Sequence, residues 1–494
     1  MSDDGSAELE RMPSGIAGLD TILGGGFLKD GLYIIQGPPG AGKTTFGNQV
    51  CFNHVAAGGK ALYVTLLAEY HARMMQHMRV MTFFDGSKIP DQLIYLNGLR
   101  VLYDDGLKGM LVLLRREITA HSASVLVIDG IVSARRVAQD EQAFNEFVHE
   151  LQAVAIAARC TVFMLTSAQG VKFAPEHTMV DGIIEMTDQL VGWSSERGLQ
   201  VVKFRGSASL RGRHAFKITD DGIVIHPRIE VLLSRPSQPD SRSDHRVSSG
   251  IDQLDVMLGG GLPASSTTMI MGPSGTGKTT LGLQFLSRCS EAEPGLLLGF
   301  YETPARLGAK VAAVCAPLSS LIDAGVVEIL WQPPTEDLLD AYGERLLQAV
   351  HHRKVRRLFI DGLGAFQQAA ASEPNRIGNF LTALMNELRV LGVTTLYTLE
   401  VPDIMGPTIR TPLGDLSSLA ENLVLLRFVE LGTQLHRLVS ILKVRDSQFD
   451  PSLFEYSTSD RGLIIGPTTV ERSRGSPVRM ASRICAISRD FASS

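Results

Sequence analysis

Cysteine is scarce and poorly spaced for chemistry. The five in 494 residues (Cys51, Cys160, Cys289, Cys315 and Cys485) are odd in number and never fall at CxxC spacing. That argues against a disulfide framework and a zinc site, and reads as small apolar side chains in a core. No apolar run approaches the roughly eighteen residues a membrane helix needs. The leading segment MSDDGSAELERMPSG has neither the basic nor the apolar region of a secretory signal, so a cytoplasmic protein is expected. Neither charge dominates: the formal net charge is −5. This balance, with no basic stripe interleaved with aromatics, disfavours nucleic acid as the main partner while leaving room for a local basic groove.

What is present is enough for real cores, with 44% hydrophobic and 20% charged residues. The length suggests two or three domains, and two large ones fit best. A repeat fixes the organisation. Ser14-Gly15-Ile16, Leu19-Asp20 and Leu23-Gly24-Gly25-Gly26 return in order as Ser249-Gly250-Ile251, Leu254-Asp255 and Leu258-Gly259-Gly260-Gly261. Lys43 and Lys278 keep the same spacing, as a duplicated domain requires. Between the copies, Ser234 to Ser243 is rich in Ser, Pro and charge, as an exposed linker would be. We therefore expect domains over 1–233 and 247–466, a linker over 234–246, and a locally basic, mobile tail over 467–494.

Each copy alternates short apolar runs with helical patterns. In the first copy the runs are Leu32–Gln36, Ala61–Leu66, Val125–Ile128 and Thr161–Leu165; in the second, Thr267–Met271, Leu296–Phe300, Leu358–Ile360 and Thr394–Leu399. Strands buried on both faces read this way, so the expected class is α/β, each domain a mostly parallel sheet flanked by helices.

Two segments satisfy GxxxxGK[ST]: Gly37-Pro38-Pro39-Gly40-Ala41-Gly42-Lys43-Thr44 and Gly272-Pro273-Ser274-Gly275-Thr276-Gly277-Lys278-Thr279. Each lies between an expected strand and an expected helix (Thr44 to about Ala57, Thr279 to about Ser290), the context of a P-loop. The helix N-terminus offers unpaired N–H groups to an anion, the glycines admit the phosphates, and Lys43 and Lys278 neutralise β/γ oxygens. Thr45 and Thr280 complete the binding set. Thr44 and Thr279 offer hydroxyls to Mg²⁺, and ATP with Mg²⁺ is the expected ligand pair. A single match leaves a chance glycine-rich turn open; two in corresponding places do not.

Asp129 and Asp361 each end an apolar strand, where an acid can hold the Mg²⁺ hydration shell. A turn-forming Asp before Gly130 or Gly362 is the competing reading. Glu69 and Glu302 each begin an ExxxR pattern after the next strand and are the candidates for orienting or deprotonating an attacking group. Solvated surface glutamates would look the same.

These residues together resemble the KaiC family of RecA-like ATPases, the family of the cyanobacterial circadian clock protein, over about residues 12 to 465. The resemblance implies tandem RecA-like P-loop NTPase domains, stacked and assembled as a double-ring homo-hexamer with ATP between neighbours. It also implies that Lys203-Phe204-Arg205-Gly206-Ser207 and Lys443-Val444-Arg445-Asp446-Ser447 reach the neighbour's nucleotide. Lys203, Arg205, Lys443 and Arg445 would then serve catalysis, and Ser207 and Ser447 nucleotide binding; without the resemblance they are solvated strand ends. Leu416 to Asn422 lines up with the family's autophosphorylation segment, making Ser417 and Ser418 phosphorylation candidates, although Ser417 could instead cap or turn the backbone. The first copy has His177-Thr178 there.

The family commonly carries two adjacent glutamates where this chain has Ala68-Glu69 and Tyr301-Glu302. The general base is thereby in question in both copies, although positioning and charge neutralisation alone support phosphoryl transfer. The expected function is an ATP-hydrolysing, self-phosphorylating serine/threonine kinase acting as a slow regulatory or clock-type switch, with a KaiB-like or other signalling partner. Two alternatives stand beside it: a nucleotide-gated scaffold with little turnover, and a DNA-dependent ATPase of the RecA/RadA type.

Overall fold

The structure is a computed structural model that describes residues 9–67, 71–167, 176–192, 194–239, 244–334, 338–402, 419–431, 434–459 and 462–468. The chain divides into two compact units, Met1–Leu232 and Leu233–Ser494.

The first unit is built on nine strands: β1 (Leu32–Gln36), β2 (Ala61–Thr65), β3 (Leu93–Asn97), β4 (Val125–Asp129), β5 (Thr161–Thr166), β6 (Gly182–Val191), β7 (Ser194–Phe204), β8 (Arg213–Thr219) and β9 (Gly222–His226). Their order across the sheet is β9-β8-β7-β6-β1-β5-β4-β2-β3. From β6 to β3 all neighbours are parallel, and β6 to β9 continue the sheet as antiparallel strands.

The second unit repeats the plan with β10 (Thr267–Gly272), β11 (Gly295–Gly299), β12 (Val327–Trp331), β13 (Arg357–Asp361), β14 (Thr394–Glu400), β15 (Asn422–Leu431), β16 (Gln434–Val444), β17 (Phe454–Ser459) and β18 (Gly462–Thr468). The order β12-β11-β13-β14-β10-β15-β16-β17-β18 is the same topology. Both units are RecA-like α/β domains with helices on a mostly parallel sheet.

Pleating explains why the parallel strands read as unbroken apolar runs. Along β1, Leu32 and Ile34 enter one core with Leu62, Val64, Leu126 and Ile128, while Tyr33 and Ile35 enter the opposite core with Tyr63, Val127 and Phe163. Helices cover both faces, so most positions of these strands are apolar, and buried polar ones such as Asp129 and Thr398 are hydrogen-bonded. The antiparallel β8 alternates instead, with His214 and Phe216 buried between partly exposed neighbours.

The phosphate-loop helices span Lys43–Ala56 and Lys278–Leu286. The second is shorter than expected: after Leu286 the N–H groups of Arg288 and Cys289 bond three residues back, to Phe285 and Leu286, and the chain leaves the helix as a tight turn. The four cysteines within the described residues are free and buried. Among the described residues no helix is long and apolar enough to cross a membrane.

The repeated Ser-Gly-Ile and Leu-Asp residues form a bracket. Asp20 accepts from the N–H groups of Ser14 (2.8 Å) and Gly15 (3.2 Å). Asp255 accepts from Ser249 N–H at 2.7 Å and from the Ser248 hydroxyl at 2.6 Å.

Candidate functional site

β1 and β10 each run into a glycine-rich loop that turns directly into a helix. Gly42 and Gly277 sit at the helix N-caps with φ of 95° and 89°, a left-handed turn that a side chain would strain. That turn leaves the first N–H groups of each helix directed at the loop's concavity, the arrangement that binds phosphate. Lys43 Nζ donates to the carbonyls of Gly37 and Pro38, both at 2.8 Å, and Lys278 Nζ does the same to Gly272 and Pro273, also at 2.8 Å. The two ammonium groups thus lie over matching loops. Partial burial lowers the pKa of both lysines; Asp129 opposes this at Lys43, and Glu400 and Asp361 oppose it at Lys278. Thr276 is fully buried and donates to Pro273 O at 2.8 Å, bracing its own loop, while Ala41 fills the corresponding position without a hydroxyl.

Each strand-terminal aspartate meets the threonine after the lysine. Thr44 Oγ1 donates to Asp129 Oδ2 at 3.0 Å, and Thr279 Oγ1 to Asp361 Oδ2 at 2.9 Å. A carboxylate and a hydroxyl side by side beneath a phosphate loop form a hard oxygen donor set suited to Mg²⁺, which takes few protein ligands and completes its shell with water and phosphate. No group of three or more His, Cys, Asp and Glu assembles a metal cage among the described residues.

Two further donors to these aspartates escaped sequence reasoning. The Tyr63 hydroxyl, buried in β2, donates to Asp129 Oδ2 at 2.9 Å, and Thr398 in β14 donates to Asp361 Oδ1 at 3.0 Å. No common pattern marks them, because the second donor comes from a different strand in each unit. Burial raises the Asp361 pKa, against the pull of the Thr279 and Thr398 hydrogen bonds and of Lys310, while Glu302 adds to the rise.

Glu302 therefore lies within electrostatic reach of Asp361. Its Oε1 accepts from Lys310 Nζ at 2.9 Å, an ion pair of partly exposed side chains that sequence reasoning also missed. Tyr301, beside it, is 62% exposed, so the residue in the first glutamate's place presents a phenol to solvent. Glu69, Ser417 and Ser418 lie outside the described residues.

The Lys-x-Arg segments stand at the other edge of each sheet. Phe204 pairs with Gly182, which pairs with Tyr33 near the start of β1, while the phosphate loop leaves the end of β1. In the second unit Val444 pairs with Asn422, and Asn422 with Thr268. At about 3.3 Å per residue, each segment is displaced along the strands by roughly 10–13 Å from its own phosphate loop. Lys203 Nζ donates to His177 O (2.8 Å) and Thr178 O (3.0 Å), Arg205 donates to Thr178 O, and Lys443 Nζ donates to Ala420 O at 3.0 Å. Ser207 and Ser447 accept from arginines of their own units, Arg11 at 2.7 Å and Arg246 at 2.6 Å. Both arginines stand three residues before the repeated Ser-Gly-Ile, so lengthening the repeat comparison would have found them.

Comparison with known proteins agrees on the duplication. The model of the KaiC family, described as an ATPase, matches residues 12–230 and again 247–470. The chain is similar to the circadian clock oscillator protein KaiC of Picosynechococcus sp., 24% identical over 94% of this chain and 92% of the relative. It is also similar to the proteins of the same name from Parathermosynechococcus lividus, 25% identical over 96% and 90%, and from Synechococcus elongatus, 24% identical over 96% and 92%.

Proposed function

The chain belongs to the KaiC ATPase family, and from that premise we propose that it is an ATP-hydrolysing assembly of identical subunits that works as a slow regulatory switch. The observation that carries this reading is the placement of the Lys-x-Arg segments at the sheet edge opposite their own phosphate loops. Cations so placed serve a nucleotide held by another subunit, which makes catalysis depend on assembly. A ring of six, as in the family, brings each segment to the next subunit's site.

In this reading the backbone N–H groups of Gly40 to Thr45 and of Gly275 to Thr280 hold the phosphates, with Lys43 and Lys278 on the β/γ oxygens. Thr44 with Asp129, and Thr279 with Asp361, would hold Mg²⁺. Mg²⁺ neutralises charge on the β- and γ-phosphates when bound. Lys203, Arg205, Lys443 and Arg445 stabilise charge on the neighbour's phosphoryl group, a contribution worth about 10³–10⁵ in rate where such fingers operate. Glu69 and Glu302 orient the attacking group, and Ser417 and Ser418 accept phosphate in the second domain, which makes the protein an autokinase as well. By kinship with the clock oscillator proteins, the output is a change of partner binding with nucleotide or phosphorylation state, and a KaiB-like protein is the first partner to test.

The Lys310–Glu302 ion pair favours a second reading, a nucleotide-gated scaffold with little turnover in its second ring. A carboxylate tied to an ammonium group must break that contact before it can bond to an attacking group. Native mass measurement with and without ATP and Mg²⁺, with phosphosite mapping of the same sample, tests both. The first reading requires nucleotide-dependent hexamers, released phosphate and label at Ser417 or Ser418. Stable hexamers without either product would leave the scaffold, and failure to bind adenine nucleotide would overturn both.

A further inference from the structure

The triple-glycine turn that opens each unit takes no part in the phosphate grip, yet it has the same neighbour in both copies. Gly24, Gly25 and Gly26 have φ of 70°, 113° and 109°, and Gly259, Gly260 and Gly261 have 72°, 109° and 116°. A Cβ on Gly24 would lie 3.3 Å from Ala208 O and 3.4 Å from Ser207 Oγ, and one on Gly259 would lie 2.9 Å from Gln448 O. The turn is thus a close-fitting seat for the loop after the Lys-x-Arg segment. Backbone hydrogen bonds extend the seat: Leu210 N–H donates to Ile22 O at 2.9 Å, and Asp450 N–H to Met257 O at 2.8 Å.

One arginine locks the two parts together. Arg11 Nη1 donates to Leu23 O (3.1 Å) and Gly26 O (3.0 Å), across the mouth of the turn, while Nη2 donates to Ser207 Oγ at 2.7 Å. Arg246 repeats this with Leu258 O (3.5 Å), Gly261 O (3.1 Å) and Ser447 Oγ (2.6 Å). A guanidinium is a planar fork, so bonding one nitrogen to the turn fixes the direction in which the other holds the serine. The serine is two residues past Arg205 or Arg445. The latch survives although the loops differ, Gly206-Ser207-Ala208 in one unit and Asp446-Ser447-Gln448 in the other.

We propose that Arg11 and Arg246 are positioning residues that aim the Lys-x-Arg finger at the neighbouring subunit's nucleotide. This rests on the trans-finger reading above and adds what holds the finger in place. A displacement of about 1 Å can cost up to ~10²-fold in rate, so loss of a latch reduces turnover without removing any group that touches ATP.

The test uses the full chain, assembled with ATP and Mg²⁺. Arg11→Met with Arg246→Met is expected to lower kcat about 10-fold, within that range, while KM for ATP changes by less than about twofold and hexamers persist. Arg11→Lys with Arg246→Lys should recover only part of the loss, since an ammonium group lacks the fork. Ser207→Ala with Ser447→Ala should cause a smaller loss of the same kind, with nothing added when combined with the arginine changes. In a background with Lys203, Arg205, Lys443 and Arg445 all changed to Ala the latch changes should cost nothing more.

Unchanged kcat in the folded, assembled methionine variant, with the finger variant impaired, would overturn the latch alone. So would a latch loss that persists undiminished in the finger background. A finger variant as active as the parent would overturn the trans-finger reading and this one with it. If the methionine variant does not fold, unchanged kcat in the serine variant is the overturning result.

Discussion

In the first unit Asp129 takes hydrogen bonds from Thr44 and from the phenol of Tyr63, whereas in the second Asp361 takes them from Thr279 and Thr398. Glu302 is paired with Lys310, while the register four residues past the shared ExxxR pattern holds His77 in the first unit. The phosphate loops, by contrast, coincide down to the 2.8 Å bonds of each lysine. Grip and support therefore diverge independently after duplication. The loops keep this geometry although Pro39 and Ala41 stand where the second unit has Ser274 and Thr276. The groups that support the acids sit on strands whose packing differs. Two sites with one grip can then differ in rate.

The most damaging way to break the comparison is to remove the shared part. Lys43→Ala and Lys278→Ala should each abolish ATP turnover at one site, by about 10²–10³-fold, as deletion of a preorganised charge donor does. Site-resolved nucleotide occupancy of the two single variants checks it. Each variant should lose nucleotide or turnover in its own unit and keep both in the other.

The next largest effect sharpens the difference. In a Lys43→Ala background, Lys310→Met should free Glu302 and raise phosphate release from the second site by roughly three- to tenfold, a fraction of what general-base catalysis supplies. His77→Met, in a Lys278→Ala background, should leave the first site unchanged. Equal responses in the two units would show that the ion pair does not restrain the second one.

How far the sequence announces these features depends on the kind of pattern each needs. Runs such as Leu32–Gln36 and Val125–Asp129 are legible because burial on both faces makes them almost wholly apolar, and the loops because GxxxxGK[ST] is local. Asp129 and Asp361 are legible as candidates because each ends its strand. Tyr63, Thr398 and Lys310 are not, because their partners are Asp129, Asp361 and Glu302 across strands or a helix turn, with no fixed spacing. Arg11 and Arg246 fall between: they repeat in the chain, but what they bond to lies about two hundred residues away. The end of the helix at Leu286 is hidden from the sequence for a related reason, since the turn that stops it has no Gly or Pro to mark it.

A smaller, local effect comes from the second donors. Tyr63→Phe should destabilise the first unit by about 1.5–3 kcal/mol, the usual worth of a hydrogen bond to a charged group, and Thr398→Val the second by a similar amount. Amide exchange along β4 and β13 separates the two. Each variant should speed exchange in its own sheet only, and faster exchange in both would mean that the supports are shared.

The smallest effect is a pH dependence of the second site. Burial holds the Asp361 carboxyl above its ordinary pKa, so over the window between the ordinary and raised values the folded protein keeps a proton that the unfolded chain has already released. Stability without nucleotide is therefore lost as pH rises through that window and is fully present below it. Asp361→Asn removes the ionisation. Without ATP and Mg²⁺ the variant should gain stability relative to the parent as pH rises through the window, and lose that advantage at the acid end. With ATP and Mg²⁺ the order should invert at neutral pH, because the metal prefers a carboxylate and displaces the proton. Denaturant unfolding of both proteins from about pH 3 to about pH 8 spans the carboxylate range and measures both halves. If parent and variant run parallel across it, the burial of Asp361 carries no linked proton, and the second site's acid is no more strained than an exposed one.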